Sequence, residues 1–131
     1  MVEINAYSLK KDGDKYLTKN FRVREFACSD GTDVVFVAPA LLKILQQVRD
    51  HFKAPVTINS GYRTVSHNKK VGGATYSQHQ YGMAADIVVK GISPKTVYSY
   101  IESLLPGTGG VGLYSSFVHV DCREAKSRWK G

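Results

Sequence analysis

SQHQYGMAADIVV, residues 77–89, sets a serine, a histidine and an aspartate around a glycine and then runs into an apolar, β-branched stretch. AADIVVKG reads as a strand, with Asp86 near its entrance and Gly82 free to turn the chain just before it. Ser77, His79 and Asp86 either make the local hydrogen bonds of a turn or present His79 and Asp86 to a shared metal. The rest of the chain decides between the two.

Upstream, PVTINSGYR (55–63) alternates Val56 and Ile58 with Thr57 and Asn59, a strand running into a glycine turn. Downstream, GVGLY and FVHVD read as two short strands joined by a polar turn at Ser115–Ser116. Between and before them lie two helices. APALLKILQQVRDHF spaces Leu41, Leu42, Ile44, Leu45, Val48 and Phe52 as an amphipathic helix. SPKTVYSYIESLLPG offers Ser93 as N-cap, Pro94 at the first helical position, and Val97, Ile101 and Leu104 on one face. The segment 64–82 has no clean period and reads as a short helix followed by a structured loop. In NFRVREFACSDG, Phe21, Val23 and Phe26 are apolar anchors ahead of a turn. The polar, lysine-rich residues 1–19 read as an irregular N-terminal arm. The order β-α-β-α-β-β after an opening helix predicts an α+β fold: a small, mainly antiparallel sheet with flanking helices.

The 131 residues are the size of one domain, expected to span 1–131. No apolar run has the length of a membrane span, so no stable membrane insertion is expected. The N-terminus lacks the apolar core of a secretory signal, which predicts a protein that is cytoplasmic as synthesised. Lys and Arg outnumber Asp and Glu by 18 to 11, a net charge of +7 that favours anionic partners. The basic residues are scattered apart from two KK pairs and the C-terminal REAKSRWKG, and no nucleic-acid motif is present, so no nucleic-acid partner is expected. Cys28 and Cys122 are far apart and read as free buried thiols.

On the last strand Phe117, His119 and Asp121 share one face and Val118 and Val120 the other. Burying the valines turns His119 and Asp121 toward the accessible side. His79, Asp86 and His119 are then a minimal ligand set for a catalytic metal, with a position left for water. Two imidazoles and one carboxylate suit Zn²⁺, and Fe or Mn accept similar donors.

INSGYRT, HN, VGGA, SQHQYGMAADI, GVGLY and FVHVD, taken together and in this order, closely resemble the family of zinc D-Ala-D-Ala carboxypeptidases and cell-wall endopeptidases. Within that family the chain is most similar to the small single-domain branch common in phages and bacteria. The resemblance reaches back to NFRVREFACSDG and covers about residues 20 to 123. It implies the compact α+β fold shared with the hedgehog signalling domain, and Zn²⁺ held by His79, Asp86 and His119. It also implies a peptidase acting on peptidoglycan stem peptides, here expected to act as a monomer. Without a signal peptide the chain resembles a phage or prophage endolysin made in the cytoplasm and released to the wall by a separate permeabilising protein.

The same resemblance assigns roles. Arg63 in SGYRT matches an arginine facing the substrate, where a guanidinium holds the developing oxyanion or a substrate carboxylate. Ser77 matches a substrate-contacting serine, with a turn cap as the alternative. Relatives carry a carboxylate three positions before the last histidine, or a second histidine two positions before it; this chain has Ser116 and Phe117 there. Asp121 is the nearest carboxylate on the correct face and either takes the proton or orients a metal-binding imidazole. Glu25 reads as a cap or ion-pair residue, and His67 and Asn68 as shaping the loop before the site. Tyr62, Tyr76, Tyr81 and Tyr114 either pack or line a peptide groove. A catalytically weak zinc domain that binds cell-wall peptide is the competing reading.

Overall fold

The computed structural model describes residues 2–131. Two helices and a five-stranded sheet build the core. Strands β3 (Val56–Ser60), β4 (Ala84–Val89), β5 (Gly110–Leu113), β6 (Val118–Asp121) and β7 (Ser127–Lys130) lie in the order β3-β4-β6-β5-β7. All neighbours are antiparallel except β5 and β7, which run parallel. Helix α2 (Pro39–Phe52) and helix α4 (Pro94–Leu104) cover one face of this sheet.

Both helices start where their sequences say they should. Pro39 opens α2 without needing an N–H partner. At its other end Lys53 adopts a left-handed conformation (φ 51°) and returns its N–H to Arg49. The Ser93 side chain caps α4 by accepting from the Thr96 N–H at 3.3 Å. Leu41, Leu42, Ile44, Leu45 and Val48 of α2 and Val97 and Ile101 of α4 are buried. They meet Ala85, Ile87, Val89, Val111, Val118 and Val120 from the sheet in one apolar cluster. Each fully buried Leu, Ile or Val in such a layer contributes roughly 1.5–3 kcal/mol.

Alternation along the strands decides what the opposite face carries. With Ala85 and Ile87 in the core, Asp86 points away from it; with Val118 and Val120 in the core, His119 and Asp121 do the same. On β5 the positions on that second face are Gly110 and Gly112, paired with Asp121 and His119. A Cβ at Gly110 would collide with the Asp121 carboxylate, and one at Gly112 with the indole of Trp129. The GVG of the sequence is therefore the imprint of two groups lying flat on the strand.

Three strands lie outside the predicted set. β1 (Asn5–Ser8) pairs antiparallel with β2 (Val34–Val37) in a separate two-stranded sheet. The expected irregular arm over 1–19 is thus ordered through residues 5–12, because β1 has β2 for a partner and helix α1 (Leu9–Asp12) is pinned by Asp33. The Asp33 carboxylate accepts from the Lys10 N–H at 2.8 Å and the Ser8 hydroxyl at 2.8 Å, and its carbonyl from the Leu9 N–H at 2.7 Å. β7 was hidden in what reads as a basic tail. Arg128 fastens it: Nη1 donates to the Gly109 carbonyl at 2.6 Å and Nη2 to the Leu105 and Thr108 carbonyls just past α4. The predicted short helix and loop over 64–82 appear as α3 (Val65–Lys70) and a 3-10 turn at Gln78–Tyr81. Cys28 is buried, Cys122 half-buried, and both are free.

Candidate metal centre

The 3-10 turn that carries His79 is fixed at both ends. Ser77 Oγ accepts from the His79 N–H at 3.2 Å, the cap alternative for that serine. Gly82 closes the turn with φ +70°, so close to β2 that a Cβ would sit 2.5 Å from the Phe36 carbonyl oxygen. Asp86 stands opposite His119 in the β4–β6 register. On its other side a bulge at Asn59 brings Ser60 opposite Asp86.

These elements bring His79, Asp86 and His119 together. Their donor atoms lie within 4.8 Å of one another, and all three residues are buried. Asp86 Oδ1 is 3.3 Å from His79 Nε2 and 3.0 Å from His119 Nδ1. The outward nitrogens are occupied. His79 Nδ1 lies 2.8 Å from the Gly61 carbonyl, which can only accept, so the proton is on Nδ1. His119 Nε2 lies 2.7 Å from Asp121 Oδ2 and donates to it. In these tautomers both inward nitrogens turn lone pairs toward a carboxylate oxygen. Three electron-rich donors converging on one point, each braced from behind, fit a divalent cation in chemistry and in number.

The charges are set by the same contacts. Burial pushes Asp86 up, but the facing imidazoles of His119 and His79 hold its carboxyl well below the usual range. Burial pulls the His119 imidazole down, and the carboxylates of Asp121 and Asp86 more than reverse this, leaving it raised. Asp121 is wholly shielded from solvent. Its Oδ1 accepts from the N–H of Gly110 (2.9 Å), the N–H of Arg123 (3.1 Å) and Arg123 Nε (2.8 Å), and its Oδ2 from His119 and Arg123 Nη2 (2.6 Å). Burial opposes its charge, yet Arg123 and His119 keep the carboxyl far below the usual range.

A cleft of about 450 Å³ opens over the three donors. Arg63, Ser77, Gln78, Tyr114, Phe117 and Trp129 are among the residues that line it, with Tyr76 at an exposed position. Asp86 is the one carboxylate among the described residues lining it, and Asp121 lies behind His119, off the cleft wall. Arg63 reaches the cleft braced by Ser60 Oγ at 3.0 Å, Asn68 Oδ1 at 3.3 Å and Asp86 Oδ2 at 3.4 Å. Glu25 is elsewhere, capping its own turn by accepting from the Arg22 N–H at 2.6 Å. Tyr62 packs edge-on to Phe36 in the core rather than in the groove.

Cys28, Asp30 and His67 form a second donor group. There the polar atoms already have neutral partners: Asp30 accepts from the Thr32 N–H at 2.9 Å and the Thr64 hydroxyl at 2.8 Å, and His67 Nε2 meets Ser29 Oγ at 3.1 Å. The group is a hydrogen-bonded clip between the Cys28–Asp30 loop and α3. Sequence reasoning passed over Arg123 and Trp129 because REAKSRWKG registered only as charge. The signal was the alternation of Ser127 and Trp129 with Arg128 and Lys130.

The sequence model of the family described as Peptidase M15 matches residues 15–121. The chain belongs to the peptidase M15 family. The M15 chain is 54% identical over 33 residues to the zinc D-Ala-D-Ala carboxypeptidase of Streptomyces albus G, covering 25% of this chain and 13% of that protein. It is 35% identical over 81 residues to the peptidoglycan L,D-endopeptidase MepK of Escherichia coli K12, covering 56% of this chain and 43% of the relative. With the probable MepK of Haemophilus influenzae it shares 38% identity over 85 residues, 60% of this chain and 44% of the relative. The M15 chain thus spans less than half the length of these curated relatives. The family and the zinc-named relative imply a metal, and the His79–Asp86–His119 group is this chain's candidate for holding it.

Proposed function

We propose that this M15 chain is a zinc-dependent peptidase that hydrolyses peptide bonds in bacterial peptidoglycan, as a carboxypeptidase or an endopeptidase. The observation that carries the proposal is the convergence of His79 Nε2, His119 Nδ1 and Asp86 Oδ1 beneath an open cleft, in a family of peptidases. His79, Asp86 and His119 would hold the metal. When bound, zinc supplies Lewis acidity for a carbonyl and acidifies water.

The protein's own residues do the rest. Arg63, held on three sides, presents a planar cation to the cleft, where it neutralises a developing oxyanion or grips a substrate carboxylate. Asp121 keeps a proton on His119 Nε2 and so keeps the Nδ1 lone pair facing inward. With both oxygens filled by donors and no face on the cleft, its role is orientation rather than proton transfer. Ser77, beside His79, touches substrate at the cleft rim while capping its turn.

Every donor comes from one chain, which supports action as a monomer, and a single apolar cluster running from Phe21 to Val120 supports one domain over 1–131. The net charge of +7 suits an anionic wall and a lytic role of the endolysin kind, after release from the cytoplasm of a phage- or prophage-bearing cell. No helix of the described residues is long and apolar enough to cross a membrane. The cleft's lack of a second carboxylate favours one other reading, a zinc domain that binds cell-wall peptide with weak catalysis. Digestion of purified peptidoglycan separates the two: new free amino or carboxyl ends support the peptidase, and retained binding without cleavage supports the binding domain.

A further inference from the structure

Residues 122–131 lie beyond the stretch matched to the family, yet Trp129 of β7 lines the cleft. Trp129 is the chain's single tryptophan. Its ring lies 4.9 Å from the His119 ring, centroid to centroid, and the Arg123 guanidinium sits 5.4 Å from the ring centroid. Its Nε1–H donates to the Tyr114 hydroxyl at 2.9 Å, and Tyr114 in turn stacks on Phe117 at 4.3 Å. Gly112 leaves β5 bare so that the indole can lie flat against it. Behind it, Arg128 fixes the strand to the carbonyls after α4. The indole is thus held by its N–H, by the strand beneath it and by the strand's own anchor, and it stays partly exposed on the cleft.

We propose that Trp129 is a substrate-binding, specificity-determining residue whose indole receives a small alkyl side chain beside the scissile bond, such as the methyl of an alanyl residue. The cleft lining is mixed, with Arg63 and the His79–His119 pair beside the aromatic Tyr114, Phe117 and Trp129. In the proposed pose a substrate carbonyl turns toward Arg63 and the histidines, and the adjoining side chain meets the aromatic residues. A flat aromatic surface rewards a methyl by excluding water from it. The proposal rests on the peptidase reading above for the identity of the substrate. The contact itself does not require cleavage.

The test uses the full chain loaded with zinc, a stem tetrapeptide purified from peptidoglycan, and a synthetic counterpart with glycine in place of the alanines. Tryptophan emission reports on Trp129 alone, so the alanyl peptide shifts it saturably. The glycyl peptide binds about fourfold more weakly for each methyl lost. Trp129→Ala loses that discrimination, with its defect larger in KM than in kcat, and Trp129→Phe keeps most of it. Unchanged emission at concentrations where calorimetry shows peptide bound, or an alanyl preference undiminished in Trp129→Ala, overturns the proposal. Absence of cleavage with both peptides counts against the peptidase reading, while emission and calorimetric affinity still decide the role of Trp129. Should Trp129→Ala fail to fold, wild-type emission and the Trp129→Phe preference still establish or refute the contact.

Discussion

His119 Nε2 lies 2.7 Å from Asp121 Oδ2, a carboxylate that has no exposure to solvent and no place on the cleft wall. The pair joins the site to the interior: the imidazole faces the cleft with Nδ1, and the carboxylate is held from behind by Arg123 and the Gly110 N–H. Asp121→Asn keeps the shape but removes the charge that fixes the His119 tautomer. Zinc affinity should fall by about 10–100-fold, read by competition with a chromophoric chelator. A variant that binds zinc as the wild type does and loses only kcat would return Asp121 to the role of proton acceptor.

Arg63→Lys tests the planar fork. Lysine keeps the charge but cannot reach Ser60, Asn68 and the cleft at once. Zinc content should be unchanged while kcat/KM on peptidoglycan peptides falls by about 10²–10³-fold, the scale for loss of one oxyanion donor. An activity within about threefold of wild type would remove Arg63 from the reaction.

Cys122 follows Asp121 directly, and burial, then the neighbouring carboxylate, push its thiol up to about 11. A raised thiol pKa favours the folded state fully below the unfolded value of about 8.5, and the advantage is lost as pH climbs toward the folded value. Native protein at pH 8 should leave Cys122 unmodified by iodoacetamide over times that fully label the urea-unfolded chain, as read by peptide mass spectrometry. Rapid labelling of native Cys122 at pH 8 would contradict the assignment.

Leu45 sits fully buried on α2, in the cluster that fixes the site-bearing strands β4 and β6. Leu45→Ala should cost about 2–5 kcal/mol in urea unfolding. By contrast, Lys43→Ala on the exposed side of the same helix should stay within about 0.5 kcal/mol.

Much of this arrangement was legible in the sequence because it rests on local rules. Helical spacing marked α2 and α4, Ser93 and Pro94 marked a start, and alternation in FVHVD put His119 and Asp121 on one face. What stayed hidden depends on contacts distant in sequence. β1 is a strand because β2 lies beside it and Asp33 pins the turn that follows. β7 is a strand because Arg128 finds the carbonyls of Leu105, Thr108 and Gly109 beyond α4, well upstream in sequence. The orienting role proposed for Asp121 rests on its burial beside His119, which no single-strand pattern encodes. Asn68, expected to shape the loop before the site, does so from within α3: its Nδ2 donates to the Ala74 carbonyl at 2.8 Å while its Oδ1 accepts from Arg63.

The central claim is that His79, Asp86 and His119 hold a zinc ion that makes the cleft a peptidoglycan peptidase. Its most direct test pairs the metal content of the purified chain with mass spectrometry of the products released from purified peptidoglycan, for wild type and for His79→Ala. Wild type should carry one zinc per chain and release new peptide ends at a single type of bond, and His79→Ala should yield neither zinc nor products. Full zinc occupancy in His79→Ala, or intact peptidoglycan after incubation with zinc-loaded wild type, would contradict it.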